Sequence, residues 1–205
     1  MANVQSKQKV IEAASMLFFQ KGFHGTTVRD IADKASVNVS LISYYFKGKQ
    51  GLLEYAVTHY YEAYLHMIHQ TLRKFENESS FEQLKQVIHS IIKYKQSHFQ
   101  LTCFIQRELS LDSIFVREMA VTYLAKENYL LSRLLYNTLK INEEGYDVQF
   151  LLMQLKGMLI TPYVLHNEWR HKIVGEIAHQ YFIEKYVQMI HNWLELMVKR
   201  QKVLE

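Results

Sequence analysis

Long stretches of this chain repeat apolar residues at spacings of three and four, and very few helix-breaking residues interrupt them. One proline and seven glycines occur in 205 residues. A spacing of three and four places apolar side chains on one face of an α-helix, and proline and glycine are the residues that most often end one. The sequence therefore predicts an all-α fold built largely from long helices.

The segment Thr26–Lys49 differs from the rest because it contains two short apolar repeats instead of one long one. The spacing over Val28–Ala35 predicts one short helix, and the spacing over Val39–Phe46 predicts a second. Between them lie Ser36, Val37 and Asn38. The polar side chains of Ser36 and Asn38 bond locally, and Asn tolerates a left-handed backbone, so the segment favours a turn. The segment therefore predicts a helix-turn-helix.

The boundaries of these helices also have local signals. Thr26 and Thr27 are both candidates for the N-cap of the first short helix, because a hydroxyl accepts a bond from an unpaired N–H at a helix start. Asp30, three residues after Thr27, completes a capping-box pattern. Upstream, an amphipathic segment from about Val4 to Lys21 predicts a supporting helix that Gly22 ends.

The outward positions of the second short helix have the chemistry of a DNA-reading surface. Hydroxyls and lysines contact phosphates, which suits Thr27, Tyr44, Lys47 and Lys49. Side chains near the start of such a helix read base edges in the major groove. The predicted DNA-binding residues are Thr27, Arg29, Asn38, Val39, Ser40, Leu41, Tyr44, Tyr45, Lys47 and Lys49.

Charge supports this interpretation over the alternative, an ordinary helical hairpin in a core. Residues 1–50 contain seven Lys and Arg against three Asp and Glu, and the net charge of the whole chain is also +4. The excess of positive charge therefore lies at the N-terminal end, as expected for a surface that binds phosphate.

The same segment resembles the DNA-binding domain of the TetR family of bacterial regulators. The upstream run Met16–Phe23 matches the family pattern as well. Within the helix-turn-helix the matching positions are Thr27, Ile31, Ala32, Ala35, Val37, Tyr44, Phe46, Lys49 and Leu52. The resemblance implies that Thr27 and Tyr44 contact phosphates, that Lys49 lies near the DNA backbone, and that residues 38–41 enter the groove.

The chain departs from the family pattern at four positions. Serine replaces glycine at Ser36 and Ser40, serine replaces tyrosine at Ser43, and Tyr45 replaces histidine. These departures leave the predicted fold intact, but the family pattern does not indicate which bases this chain prefers.

The organisation predicted from the sequence has two domains. Residues 1–48 form a three-helix, helix-turn-helix DNA-binding domain, and residues 49–205 form a helical-bundle regulatory and dimerisation domain. The last helix has a wide apolar face that needs a partner, and in the TetR family the last two long helices pair across a homodimer. The predicted dimer contacts are Ile183, Tyr186, Val187, Ile190, Trp193, Leu194 and Met197.

The family resemblance also implies an effector pocket in the helical body. Aromatic and Met side chains at helical spacing are more often core than pocket, so a core role is the alternative for these residues, and the sequence indicates no ligand. The candidate lining residues are Tyr64, Met67, Cys103, Phe104, Phe115, Met119, Tyr123 and Met153.

Other features of the body favour structural interpretations. Pro162 bends a helix, either for packing or as a hinge. Cys103 is expected to be a buried apolar side chain, because no neighbour in sequence lowers a thiol pKa. The pair His66 and His69 lacks the further ligands of a metal site. With no phosphate loop or catalytic triad motif in the sequence, we expect no enzyme activity, no cofactor and no metal.

Three functions remain open. The first is a dimeric repressor that binds a palindromic DNA site and responds to a small-molecule effector. The second is a DNA-bound regulator that acts on a cell-division protein, because the segment from Val37 to Glu54 is similar to the RefZ-like division regulators within the TetR family. The third is a helical protein without DNA binding. No signal sequence or membrane span is evident, so we expect a cytoplasmic, nucleoid-associated protein.

Overall fold

The computed structural model describes residues 2–110, 114–140, 146–168 and 176–204, and the regular elements in these ranges are α-helices. The all-α prediction is confirmed. The helices are α1 (Ala2–Lys21), α2 (Val28–Ala35), α3 (Val39–Phe46), α4 (Lys49–Lys74), α5 (Ser80–Ser97), α6 (Phe99–Ser110), α7 (Ile114–Leu139), α8 (Tyr146–Val164) and α9 (Glu176–Leu204).

The helices group into two compact units. The first contains Met1–Glu62 and His98–Ala120, and the second contains Ala63–Ser97 and Val121–Glu205. Helices α4 and α7 each begin in the first unit and end in the second. The predicted boundary after residue 48 does not coincide with this division, because the first part of α4 and all of α6 also belong to the first unit.

The first unit is held together by the apolar face of α1. Val10, Ala14 and Phe18 are fully buried, and α1 packs against both α2 and α6. The rings of Phe18 and Phe104, the latter on α6, stack with their centroids 5.3 Å apart. Helices as short as α2 and α3 are marginal in isolation, so this packing is what stabilises them.

In the second unit, α5 packs against α8 and α9. Its buried residues include Leu84, Val87, Ile88, Ile91 and Ile92. Helix α8 continues through Pro162, which has no N–H to donate to the carbonyl of Met158 four residues earlier. The Tyr186 hydroxyl donates to that carbonyl oxygen at 2.7 Å, so packing of α9 satisfies the group that the proline leaves unpaired.

None of the helices in the described ranges is long and apolar enough to span a membrane.

Candidate DNA-binding surface

Helix α2 begins at the cap that the sequence predicts. Thr27 is the N-cap, its hydroxyl accepts the N–H of Asp30 at 3.1 Å, and the Asp30 carboxylate accepts the N–H of Thr27 at 2.8 Å. The Thr27 hydroxyl also donates to that carboxylate at 2.8 Å. These bonds from Thr27, together with Lys21, hold the pKa of the Asp30 carboxyl below its usual range. Thr26 is instead buried, and its hydroxyl donates to the carbonyl of Gly22 at 2.8 Å.

The turn between α2 and α3 requires a left-handed residue, and Ser36 supplies it. Its φ is 53° and its ψ is 47°. The N–H of Ser36 donates to the carbonyl of Asp33 at 3.1 Å, and the N–H of Val37 donates to that of Ala32 at 3.0 Å. This is the Schellman arrangement, which glycine adopts most easily. The glycine in the family pattern at this position therefore has a conformational cause, and serine occupies it here under strain.

Helix α3 separates its two faces as the apolar spacing predicts. Ile42 and Phe46 are buried, whereas Tyr44 is 78% exposed and Val39 is 38% exposed. The rings of Tyr44 and Tyr45 meet edge to face with centroids 5.2 Å apart. Two apolar anchors thus hold the helix in the first unit and leave its outward residues at the surface.

The side chain of Asn38 caps the start of α3. Its Oδ1 accepts the N–H of Ser40 at 2.9 Å and the Ser40 hydroxyl at 2.7 Å. Asn38 has a φ of −69°, so the left-handed backbone that the turn needs lies at Ser36 and not at Asn38.

The structure places Lys49 differently from the prediction. Its ammonium donates to the carbonyl oxygens of Phe23 at 2.8 Å and Thr26 at 2.7 Å, and it lies 4.4 Å from the centroid of the Phe23 ring. Lys49 therefore joins the first turn of α4 to the loop before α2, and two of its three donors are used within the protomer; its phosphate contact stays a prediction. In contrast, Arg29 and Lys47 are exposed.

Sequence reasoning missed Arg107 on α6. Its Nη2 donates to the carbonyl of Phe18 at 2.8 Å, and its Nη1 donates to that of Phe19 at 3.2 Å. These carbonyls belong to the last turn of α1, and that of Phe18 also accepts the backbone N–H of Gly22 at 3.0 Å. No local pattern relates residues this far apart in the chain, so the sequence contains no signal for this contact.

The residues predicted to line an effector pocket belong to both compact units, and each is described within its own unit. Cys103 and Phe104 are buried in the first unit, and burial raises the pKa of the Cys103 thiol to about 12, which suits an unreactive core residue. Met153 is 64% exposed on α8, so it lines no interior site. Tyr64 is buried in the second unit, and the structure leaves Met67 and Tyr123 half-buried. The side chains of Phe115 and Met119 lie outside the described residues.

Tyr64 instead belongs to a buried charged cluster in the second unit. Its hydroxyl donates to the carboxylate of Glu127, and the Lys156 ammonium lies 3.2 Å from the other oxygen of that carboxylate. Lys95 is also buried, with its ammonium 5.8 Å from the centroid of the Tyr64 ring and 3.4 Å from the carbonyl of Leu159. Burial lowers the pKa of Lys95. The sequence gives no sign that these side chains meet.

The predicted dimer contacts need correction at three positions. Val187, Ile190 and Leu194 are buried inside their own protomer, where α9 packs on α5, so they are not available to a second copy. Ile183, Tyr186, Trp193 and Met197 are half-buried and stay predictions. Among the α9 side chains that the structure describes, the exposed large apolar ones are Tyr181, Met189 and Leu196. The helix is apolar on more than one face, and the sequence does not indicate which face turns inward.

The fold and the exposed second helix of the helix-turn-helix define a DNA-binding transcriptional regulator. The family model described as bacterial regulatory proteins, tetR family, matches residues 10–56. A Bacillus subtilis (strain 168) protein named "Probable HTH-type transcriptional regulator YttP" is 40% identical over 193 residues, which is 93% of either chain. The chain belongs to the TetR family of bacterial transcriptional regulators.

Solved structures share the fold. The fatty acid degradation regulator FadR from Bacillus halodurans matches with a TM-score of 0.67 at 20% identity, over 91% of this chain and 94% of that one. The transcriptional regulator FadR from Bacillus subtilis, in complex with stearoyl-CoA, matches with a TM-score of 0.66 at 22% identity, over 93% and 97% of the two chains. The predicted arrangement of a helix-turn-helix domain followed by a helical domain is thereby confirmed.

Proposed function

We propose that the protein is a homodimeric transcriptional repressor that binds a palindromic DNA site through α3 and is released by a ligand of its helical body. The observation that carries the DNA-binding part is the presentation of α3. Its two apolar anchors, Ile42 and Phe46, are buried while Tyr44 and Val39 lie at the surface. A helix held this way is free to enter the major groove by its first residues.

We assign the contacts by chemistry and exposure. Arg29, Tyr44 and Lys47 are exposed and suit phosphate oxygens. Thr27 is exposed as well. Its hydroxyl donates to the Asp30 carboxylate, and it must give up that bond in order to donate to a phosphate. The groove-facing set is Asn38, Val39, Ser40 and Leu41, with Tyr45 beside Tyr44.

A homodimer is supported by an outward apolar stripe on α8 and α9. On α8, Phe150 and Met153 are exposed, and on α9, Met189 and Leu196 are exposed. Gly157 continues the α8 stripe, and a Cβ added there meets no atom of its own protomer within 4 Å. Glycine inside a helix costs about 1 kcal/mol relative to alanine. Nothing in its own protomer requires glycine at this position, whereas the close approach of a second copy would require a residue without a side chain.

The test of the dimer compares Gly157→Ala with Gly157→Leu by light scattering at a series of concentrations. A Cβ at this position meets no obstacle within the protomer, and unfolding curves establish that both variants are folded before they are compared. Gly157→Leu fills the stripe and shifts the protein towards monomer, whereas Gly157→Ala has a smaller effect. Equal dimerisation by all three proteins contradicts this interface.

DNA binding is tested by selecting bound sequences from a random pool. A two-fold symmetric protein selects an inverted repeat whose half-sites are about one helical turn, ~34–36 Å, apart. Affinity for the selected site also falls with salt in proportion to the number of phosphates contacted. A pool without enrichment, together with no salt-dependent affinity, supports a helical protein without DNA binding.

The ligand-responsive part is supported by the structural relatives and by the charged cluster of the second unit. The FadR of Bacillus subtilis was solved with stearoyl-CoA. In the present chain, Lys95, Glu127 and Lys156 supply polar groups within the body for which a ligand can compete. Release of the protein from its selected DNA by stearoyl-CoA, but not by free coenzyme A, is the expected result, and no release by either removes acyl-CoA as effector.

A second candidate is a nucleoid-associated regulator that acts through a cell-division protein. The observation that favours it is the exposure of Met153, a predicted pocket residue that lies 64% exposed on α8 and therefore lines no interior site. Mapping of the bound chromosomal sites separates the two functions. Sites beside promoters support the repressor, and scattered sites unrelated to promoters support the division regulator.

A further inference from the structure

The cap of α3 fixes which atoms of Asn38 face outward. The backbone N–H of Ser40 can only donate, and it points at one terminal atom of the Asn38 side chain from 2.9 Å. That atom must therefore be the carbonyl oxygen, and the amide nitrogen Nδ2 lies on the other side of the group. Both hydrogens of Nδ2 remain available as donors.

The same oxygen fixes the polarity of Ser40. The Ser40 hydroxyl oxygen lies 2.7 Å from Asn38 Oδ1, which carries no hydrogen, so the hydroxyl must donate to it. A serine hydroxyl has one hydrogen and two lone pairs. With its hydrogen used inside the cap, Ser40 presents only lone pairs to a further partner. A lone serine bonds to any base, and the cap removes that freedom.

We propose that Asn38 and Ser40 act as one reading unit that selects an adenine in each DNA half-site. Asn38 Nδ2 donates to adenine N7, and the N6 amino group of the same base donates to Ser40 Oγ. The inference rests on the proposed function, which places the start of α3 in the major groove. Both residues are exposed on the first turn of α3, so no side chain of the protomer has to move to expose them.

The hydrogen-bond code of the groove favours adenine. Adenine presents an acceptor, N7, and a donor, N6, on one edge, whereas guanine presents two acceptors. Guanine O6 therefore repels the lone pairs of Ser40 when Nδ2 donates to N7. In a G·C pair the acceptors belong to guanine and the donor belongs to cytosine, so neither base alone presents both to Asn38 and Ser40. Val39, which lies between the two reading residues and is 38% exposed, favours A·T because that pair alone has a methyl group in the groove.

The test selects bound DNA from one random pool with three proteins: the natural chain, Asn38→Ser and Ser40→Ala. Asn38→Ser keeps an oxygen that caps the helix, and its shorter side chain leaves no donor at the position of Nδ2. Ser40→Ala leaves the Asn38 cap in place. Unfolding curves confirm that the variants are folded. The natural chain should prefer adenine at one half-site position by about tenfold, the scale of a good base contact. Each variant should lose that preference and keep the other positions.

Base analogues at the selected adenine separate the two bonds. Substitution by 7-deazaadenine removes N7 and should weaken the natural chain but not Asn38→Ser, while a purine without the N6 amino group should weaken the natural chain but not Ser40→Ala. Adenine preference that survives both variants overturns the inference, and so does selection of a G·C pair at this position. A natural chain that enriches no sequence contradicts the proposed function itself, which is a different result.

Discussion

Arg107 Nη2 donates a hydrogen bond to the main-chain oxygen of Phe18 at 2.8 Å, although 88 residues separate the two in the chain. Nη1 bonds the carbonyl of Phe19 in the same way. The carbonyls at the C-terminal end of a helix carry partial negative charge, which favours a cation there, and Arg107 adds a second donor to the Phe18 carbonyl, which also accepts the N–H of Gly22 at 3.0 Å. Helix α6 thus completes the C-terminus of α1, next to the loop that leads to α2.

Arg107→Ala should therefore destabilise the first unit. Hydrogen bonds from a charged group are worth about 1.5–3 kcal/mol, and we expect a loss of that order in the free energy of unfolding. Amide exchange should quicken in the last turn of α1 and in residues 22–26. Arg133→Ala, an exposed arginine on α7, is the control and should change stability by less than about 0.5 kcal/mol. Unchanged exchange at the end of α1 contradicts this role.

Two serines that stand where the family pattern has glycine should respond in opposite directions to the same substitution. Ser36 has a φ of 53°, a region that costs a residue with a Cβ about 1–2 kcal/mol. Ser40 lies in the first turn of α3, where glycine costs helix entropy and the bond to Asn38 is lost. Denaturant unfolding should show that Ser36→Gly stabilises by about 0.5–1 kcal/mol and that Ser40→Gly destabilises. Changes of the same sign exclude the conformational explanation.

Lys47 and Lys49 should differ in how their loss affects DNA binding. The ammonium of Lys49 bonds two carbonyls before α2, whereas Lys47 is exposed. Lys47→Met should weaken binding with a salt slope reduced by about one, and stability should hardly change. Lys49→Met should lower the free energy of unfolding by about 1.5–3 kcal/mol and leave the salt slope unchanged. A reduced slope for Lys49→Met restores the phosphate contact that the sequence predicted.

The sequence predicts those features whose physical cause is local. The cap formed by Thr27 and Asp30 is visible at a spacing of three, and the buried pair Ile42 and Phe46 is visible at a spacing of four. The carbonyls that Lys49 bonds lie 23 and 26 residues away in the chain. The sequence therefore predicts a lysine directed towards DNA, whereas the structure shows one whose ammonium bonds main-chain oxygens of its own protomer. Family resemblance places a lysine at that position but does not decide its partner.

The same limit explains the error on α9. Apolar residues recur at spacings of three and four on more than one face of that helix. The spacing alone does not indicate which of these faces is buried. Val187 turns towards α5 while Met189, two positions later, turns outward. Ranking them needs the neighbouring helix, which the sequence does not provide.

Glu127 makes the stability of the second unit depend on acid. Burial raises the pKa of its carboxyl, but the charges of Lys95 and Lys156 and the bond from Tyr64 outweigh burial, so the net pKa lies below the ordinary value of 4.5. A carboxyl with a lowered folded pKa contributes stability that is fully present above the unfolded pKa. That contribution is lost as the pH falls through the folded value.

We therefore expect the free energy of unfolding of the natural chain to decline as the pH falls below about 4.5. Protonation of Glu127 leaves the buried Lys95 and the half-buried Lys156 without their carboxylate. Glu127→Gln has the same shape without the charge. At neutral pH it should lose about 3–5 kcal/mol, the cost of breaking a buried pair, and below pH 4.5 it should decline less steeply than the natural chain. Glu184→Gln, an exposed carboxyl on α9, controls for general acid effects. Parallel pH profiles for the natural chain and Glu127→Gln show that the cluster does not set the acid limit.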